Sequence, residues 1–353
     1  ITDGNDDFKI KFLVDIGNIP KVVFNLSGNK IDLTNFHYSE DKEAHVWSKE
    51  LFRLPSLHNM STDFKVDVAE LTSGKLNIRD LKIDTDFQKG TLYFDRFTGK
   101  IFDRGEFNIK GSYIISGLPT LNLVFQISNL ETDKFFDYLI GYNSLSTLAS
   151  LSGNISSFGQ SESVFVKQLS LTMKIATSEI IIKNFAVSKI IDYIANLSKI
   201  KVYESYFNLA DVLSSGTAIY SPIRTNFIMR KGQAVLNNLP LNSRGMNSTV
   251  IGKIDIPAYQ MAITTIHAFR AYYLSGEKVE NASLRIDYTL RGLFSDVQSK
   301  FEYTQIDNLI RDLKEAYKPI ITRRKEYNKQ VEEEDRETDQ LEQKRLDELR
   351  ELG

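Results

Sequence analysis

Apolar residues recur at every second position through one segment of this chain after another. Leu76, Ile78 and Ile83 alternate with polar residues in KLNIRDLKID, Leu92 and Phe94 in GTLYFD, and Phe107 and Ile109 in GEFNIKG. LNLVFQIS sets Leu121, Leu123, Phe125 and Ile127 on one side, and LSLTMKIA sets Leu169, Leu171, Met173 and Ile175. Phe227 and Met229, Ile254 and Ile256, and Leu284, Ile286, Tyr288 and Leu290 continue the pattern. Side chains of a β-strand point alternately to its two faces, so each segment is a strand with one apolar and one polar side. Gly74, Gly90, Gly99, Gly105, Gly117, Gly232 and Gly252 are placed between the runs, where turns need backbone angles that other residues resist. The short spacings imply antiparallel meanders, because parallel neighbours need a longer crossover. A mainly β fold follows: a curved antiparallel sheet with a few short helices and a long charged C-terminal helix.

Two segments break the alternation. ETDKFFDYLIGYNSLSTLASL carries Phe135, Phe136, Leu139, Leu145 and Leu148 at helical spacing behind Thr132, a cap candidate. VSKIIDYIANLSKI, behind Ser188, puts Ile190, Ile191, Ile194 and Leu197 on one helical face, and LADVLSS reads as a further short helix.

The chain also repeats itself at an offset of 99 residues. FKIK at Phe8–Lys11 matches FNIK at Phe107–Lys110, and Ile19-Pro20 matches Leu118-Pro119. Val22, Phe24 and Leu26 fall in phase with Leu121, Leu123 and Phe125, and Phe36 with Phe135. A sheet extended by duplication is the simplest origin of such a match. The expected organisation is a repeated groove segment over 1–130, its continuation with helical insertions over 131–304, and the helix over 305–353.

That helix rests on RRKEYNKQVEEEDRETDQLEQKRLDELRE, Arg323 to Glu351, with 8 basic and 11 acidic residues in 29. Leu341, Leu346 and Leu349 are too sparse for a coiled-coil seam. Pairs such as Glu332 with Arg336 support a solvated helix, with a partner-binding strut as the alternative.

Composition excludes several functions. With 44 Lys and Arg against 46 Asp and Glu, there is no basic field to draw in nucleic acid. The absence of cysteine removes disulfides, thiolate metal sites and cysteine nucleophiles. His37 and His45, with Asp41 and Glu43 between them, are the nearest approach to a metal cluster, and their spacing fits no zinc or iron pattern. No phosphate-binding loop, nucleophile elbow or HExxH motif occurs. Neither cofactor nor catalytic residue is expected, and an enzyme is disfavoured.

What remains is the apolar face. Its candidate lining residues are Leu92, Phe94, Phe107, Ile109, Leu121, Leu123, Phe125, Leu171, Met173, Phe227, Met229, Ile254 and Ile286. A second sheet could fill this face, as in a sandwich. Left open, it would form a trough binding acyl chains at about 0.8 kcal/mol per buried methylene. Periodicity leaves both readings standing.

Asp63 to Tyr113 carries Ala69-Glu70-Leu71, Asp80-Leu81, Gly90-Thr91-Leu92 and Gly105; Leu169 to Phe269 carries Thr225-Asn226-Phe227, Lys231-Gly232, Asn238-Leu239 and Gly252. In these features most of residues 8–300 resembles the AsmA-like family of Gram-negative envelope proteins. Phe102-Asp103-Arg104 stands before Gly105 where that family often has paired glycines. The resemblance implies a periplasmic, taco-like β groove, held to the inner membrane by a segment upstream of Ile1. It implies phospholipid or another acyl-chain lipid as partner, with a role in lipid transport between the membranes and in outer-membrane biogenesis. A non-catalytic scaffold with a filled core, docking partners through the C-terminal helix, is the alternative.

Overall fold

The computed structural model describes residues 8–34, 47–52, 60–186, 215–243, 246–269, 272–274, 277–279 and 284–301, and in the C-terminal part 315, 318–319, 322–323, 325–341 and 343–344. The expected helices over 187–200 and 209–215 fall almost entirely outside these residues, as do His37 and His45.

Among the described residues, twenty strands and two short helices make up the β-rich part. In chain order the strands are β1 (Phe8–Asp15), β2 (Lys21–Asp32), β3 (Ser61–Ser73), β4 (Leu76–Gln88), β5 (Thr91–Ile101), β6 (Gly105–Ile114) and β7 (Thr120–Glu131). After helix α1 (Thr132–Ile140) come β8 (Leu145–Ser146) and β9 (Leu148–Phe158); after α2 (Glu162–Lys167) come β10 (Ser170–Thr177), β11 (Ile180–Lys183) and β12 (Thr217–Tyr220). The rest are β13 (Arg224–Arg230), β14 (Gln233–Ser243), β15 (Met246–Asp255), β16 (Gln260–Phe269), β17 (Tyr272–Leu274), β18 (Glu277–Val279), β19 (Leu284–Leu293) and β20 (Asp296–Phe301).

Fifteen strands form one sheet, ordered β1-β2-β3-β4-β5-β6-β7-β9-β10-β13-β14-β15-β16-β19-β20. The sheet is not closed, and β1 and β20 are its two edges. β8, β11 and β12 form a separate three-stranded sheet, and β17 and β18 a small ribbon.

One pairing corrects the purely antiparallel expectation. β2 and β3 run parallel, Val22 beside Thr62 and Ile31 beside Leu71, so the sheet is mixed. Residues 33–60 supply the long crossover that a parallel pair requires. Part of that crossover is tied to distant elements. Trp47 donates its indole N–H to the Ile256 carbonyl at 2.9 Å, and Phe52 meets Phe165 of α2 edge-to-face.

The turns follow their sequences. Lys89-Gly90 and Lys231-Gly232 both have positive φ at the two central positions, as type I′ hairpins require. Gly99, Gly105 and Gly252, expected in turns, instead lie within strands. The repeated hairpins coincide residue for residue: β1–β2 pairs Phe8 with Gly28 and Val14 with Val22, and β6–β7 pairs Phe107 with Ile127 and Tyr113 with Leu121.

The first helix is shorter than its spacing predicts. Gly141 takes a left-handed conformation at φ 66° and ends α1, its N–H bonding the Asp137 carbonyl. Leu145 and Leu148, expected on the helix, belong to β8 and β9. Thr132 makes no cap bond; its hydroxyl donates to the Leu145 and Thr147 carbonyls and ties the helix to the sheet. In the C-terminal part, residues 325–341 are helical and exposed throughout.

Candidate functional site

Directly paired residues of neighbouring strands share a face, and so do alternate residues within a strand. Register therefore traces a row across the whole sheet. It runs Phe12, Phe24, Phe64, Thr85, Phe94, Gly111, Leu123 and Ile155 from β1 to β9. It continues through Leu171, Met229, Ala234, Ile254, Met261, Gly292 and Val297 from β10 to β20. Each of the fifteen strands contributes one residue, and none is charged. At about 4.8 Å per strand the row is roughly 67 Å long, measured along the sheet.

Flanking rows share its character. Ile109, Phe125, Gly153, Met173 and Phe227 lie on one side, and Leu92, Tyr113, Leu121 and Ser157 on the other. The opposite face of the same strands carries Asn108, Gln126 and Ser152, then Lys174 and Asn226.

Keeping one face apolar over long strands needs corrections of phase. Bulges supply them: three carry an Asp or Asn at positive φ, Asp80, Asn129 and Asn238, all between 52° and 53°, and another, over Phe94 to Phe97 in β5, carries none. Each of these Asp and Asn residues sits before the apolar residue of a three-residue step: Ile78 to Leu81 against β5, Ile127 to Leu130 against β9, Leu236 to Leu239 against β15. Asp and Asn tolerate this backbone region better than other non-glycine residues.

Two glycines bring strands unusually close. A Cβ on Gly111 would lie 2.1 Å from the Asn122 carbonyl oxygen, and one on Gly153 would lie 2.1 Å from that of Thr172. Such positions let a sheet bend locally.

All the sequence-predicted lining residues fall on this face by register. Leu92, Phe94, Ile109, Leu121, Leu123, Phe125, Leu171, Met173, Phe227 and Ile254 are half-buried, whereas Phe107 and Met229 are buried. Ile286 pairs with His267 in the same phase, but its side chain lies outside the described residues. In a fully filled core the central residues would lie out of contact with solvent. Here β5 to β13 hold most of theirs at intermediate exposure.

Among the described residues the face is filled in three places, one of them at β7 and β9, where Phe102, Leu130 and Ala149 are buried beside Phe135 of α1. Val66, Val68, Leu81 and Phe107 form a buried cluster across β3 to β6, joined by the stacked Phe24 and Phe64 rings. At the other extreme the small sheet packs over β14 to β16. There Phe185 stacks on His267 at 4.5 Å, and His267 Nδ1 lies 2.8 Å from Ser248 Oγ and 3.1 Å from the Tyr220 hydroxyl.

That serine–histidine contact has the separation of a nucleophile and its base. Ser248 is 2% exposed, His267 1% and Tyr220 0%, so a substrate has no approach. Burial pushes the His267 imidazole down to about 4 and the Tyr220 phenol up. A neutral imidazole offers one donor and one acceptor nitrogen, so its contacts with the two hydroxyls satisfy buried polar groups. Sequence reading missed it, because Ser248, His267 and Tyr220 belong to three strands without a shared motif.

Charges elsewhere pair rather than accumulate: Lys75 with Asp137 at 2.7 Å, Lys100 with Asp80 at 2.8 Å, Lys183 with Asp133 at 3.3 Å. Among the described residues no group of acidic or histidine side chains is placed to hold a metal, and no helix is long and apolar enough to cross a membrane. Comparison of the chain with protein families, curated proteins and solved structures finds no match.

Proposed function

We propose that this face binds acyl chains, and that the protein serves as a lipid-binding conduit of the bacterial envelope. The observation carrying this reading is the uncharged row crossing fifteen strands with much of its middle half-exposed. Soluble proteins rarely leave contiguous apolar surface of this extent without a partner. One leaflet of hydrocarbon is about 15 Å thick, so the row is long enough for several acyl chains in succession. Lipid would move across the strands with its chains against the row and its headgroup in water, and no residue would make or break a bond. The resemblance to AsmA-like proteins supplies the rest of the proposal: a periplasmic groove, anchorage through a segment upstream of Ile1, and phospholipid as cargo for outer-membrane biogenesis.

A filled scaffold is the second reading, favoured by the buried cluster at β3 to β6 and by the small sheet over β14 to β16. On that reading the exposed C-terminal helix docks an envelope partner. The two are separated by Leu123→Asp and Phe125→Asp, both in the half-buried middle. Purified from membranes, these variants are expected to keep the parent's circular dichroism and to lose co-purifying lipid at least tenfold. Unchanged lipid recovery from a folded double variant would overturn the conduit.

A further inference from the structure

We propose that the free edge of β1 pairs with β1 of a second copy of this chain, antiparallel and centred on Phe12, so that the apolar row continues from one copy into the next. The edge has the character of an unfinished sheet. No described strand lies on its outer side. Ile10 is 56% exposed, Phe12 61% and Leu13 51%, so apolar surface is open on both of its faces. An uncovered edge of this kind is a template for strand addition. The internal repeat indicates what it lacks: β6, the equivalent of β1, has antiparallel β5 on its outer side, Phe97 beside Ile109 and Phe94 beside Gly111.

A second β1 fits that place. An antiparallel pair centred on Phe12 sets Phe12 against Phe12 and Ile10 against Val14, all on the apolar face. On the polar face it sets Lys9 of each copy against Asp15 of the other. All four of these charged side chains would come from exposed positions. Centring on Lys11 would oppose Lys11 to itself. Centring on Leu13 would shorten the paired stretch to Lys11 through Asp15. The Phe12 arrangement is self-complementary and closes on a two-fold axis, as most homodimers do.

The chain has no cysteine, so single cysteines report the register directly. Opposed Cα atoms of an antiparallel pair are about 4.5–5.5 Å apart, within disulfide reach. Phe12→Cys is expected to form a disulfide-linked dimer under mild oxidation. Ile10→Cys and Val14→Cys are each expected to stay unlinked alone, yet to cross-link when mixed. Lys9→Asp should weaken association about tenfold, and adding Asp15→Lys should restore it. A native chain that remains monomeric in sedimentation across a dilution series would overturn the proposal. So would equal cross-linking at the three positions, or open-ended growth, the signature of β1 pairing with β20.

Discussion

Asp80, Asn129 and Asn238 each hold a left-handed backbone inside a strand, and the apolar face depends on them. Without the extra residue, everything beyond the bulge would turn to the other side of the sheet. Asn129→Val is expected to destabilise by about 1–3 kcal/mol, because a β-branched residue is strained there. Asn129→Gly should stay close to the parent, and thermal unfolding of the two variants tests the difference. His267 gives a second test. Its folded pKa lies near 4, below the ordinary 6.5 of the unfolded chain. Between these values the unfolded state binds the additional proton, so stability is complete above about pH 6.5 and falls as pH drops toward 4. The loss expected from this residue is on the order of 3 kcal/mol. Unfolding at pH 5 against pH 6.5 should show a smaller difference in His267→Phe than in the parent.

Among the elements, the strands and the start of α1 were legible, but the end of α1 was not. Alternation marked β5, β6, β7, β10 and β13 correctly, because a half-buried strand displays its period in its own residues. It misread the segment after Thr132 by running one helix on through Leu145 and Leu148, whereas Gly141 ends the helix before them. The parallel pairing of β2 with β3 was illegible for a different reason: strand order depends on where the crossover travels, and alternation does not record that. The Asp and Asn bulges did leave a signal, an apolar–x–Asx–apolar step within an alternating run. The candidate face was readable as a set of residues; its continuity across strands needed the register. Gly153 belongs to this scale too, since a Cβ there would meet the backbone of β10. Gly153→Ala is expected to cost about 2–3 kcal/mol by overpacking, against less than about 0.5 for Gly17→Ala, which has nothing within 4 Å of its added Cβ. Denaturant midpoints of the two variants check this.

For the molecule as a whole, the central question is whether protein or lipid completes the apolar face. Buried clusters close the face at β3 to β6, at the Leu130–Ala149 end of β7 and β9 under α1, and at β14 to β16, while the middle of the strands between keeps half-exposed leucine, isoleucine and phenylalanine side chains. On the conduit reading, that middle stretch holds acyl chains. The most direct test is native mass spectrometry of the chain purified from membranes, with the released ligand identified. The expected result is a bound population heavier by the mass of one or more phospholipids, reduced at least tenfold in the Leu123→Asp, Phe125→Asp variant. A parent that is folded and free of lipid, or a folded variant that retains its lipid in full, would contradict it.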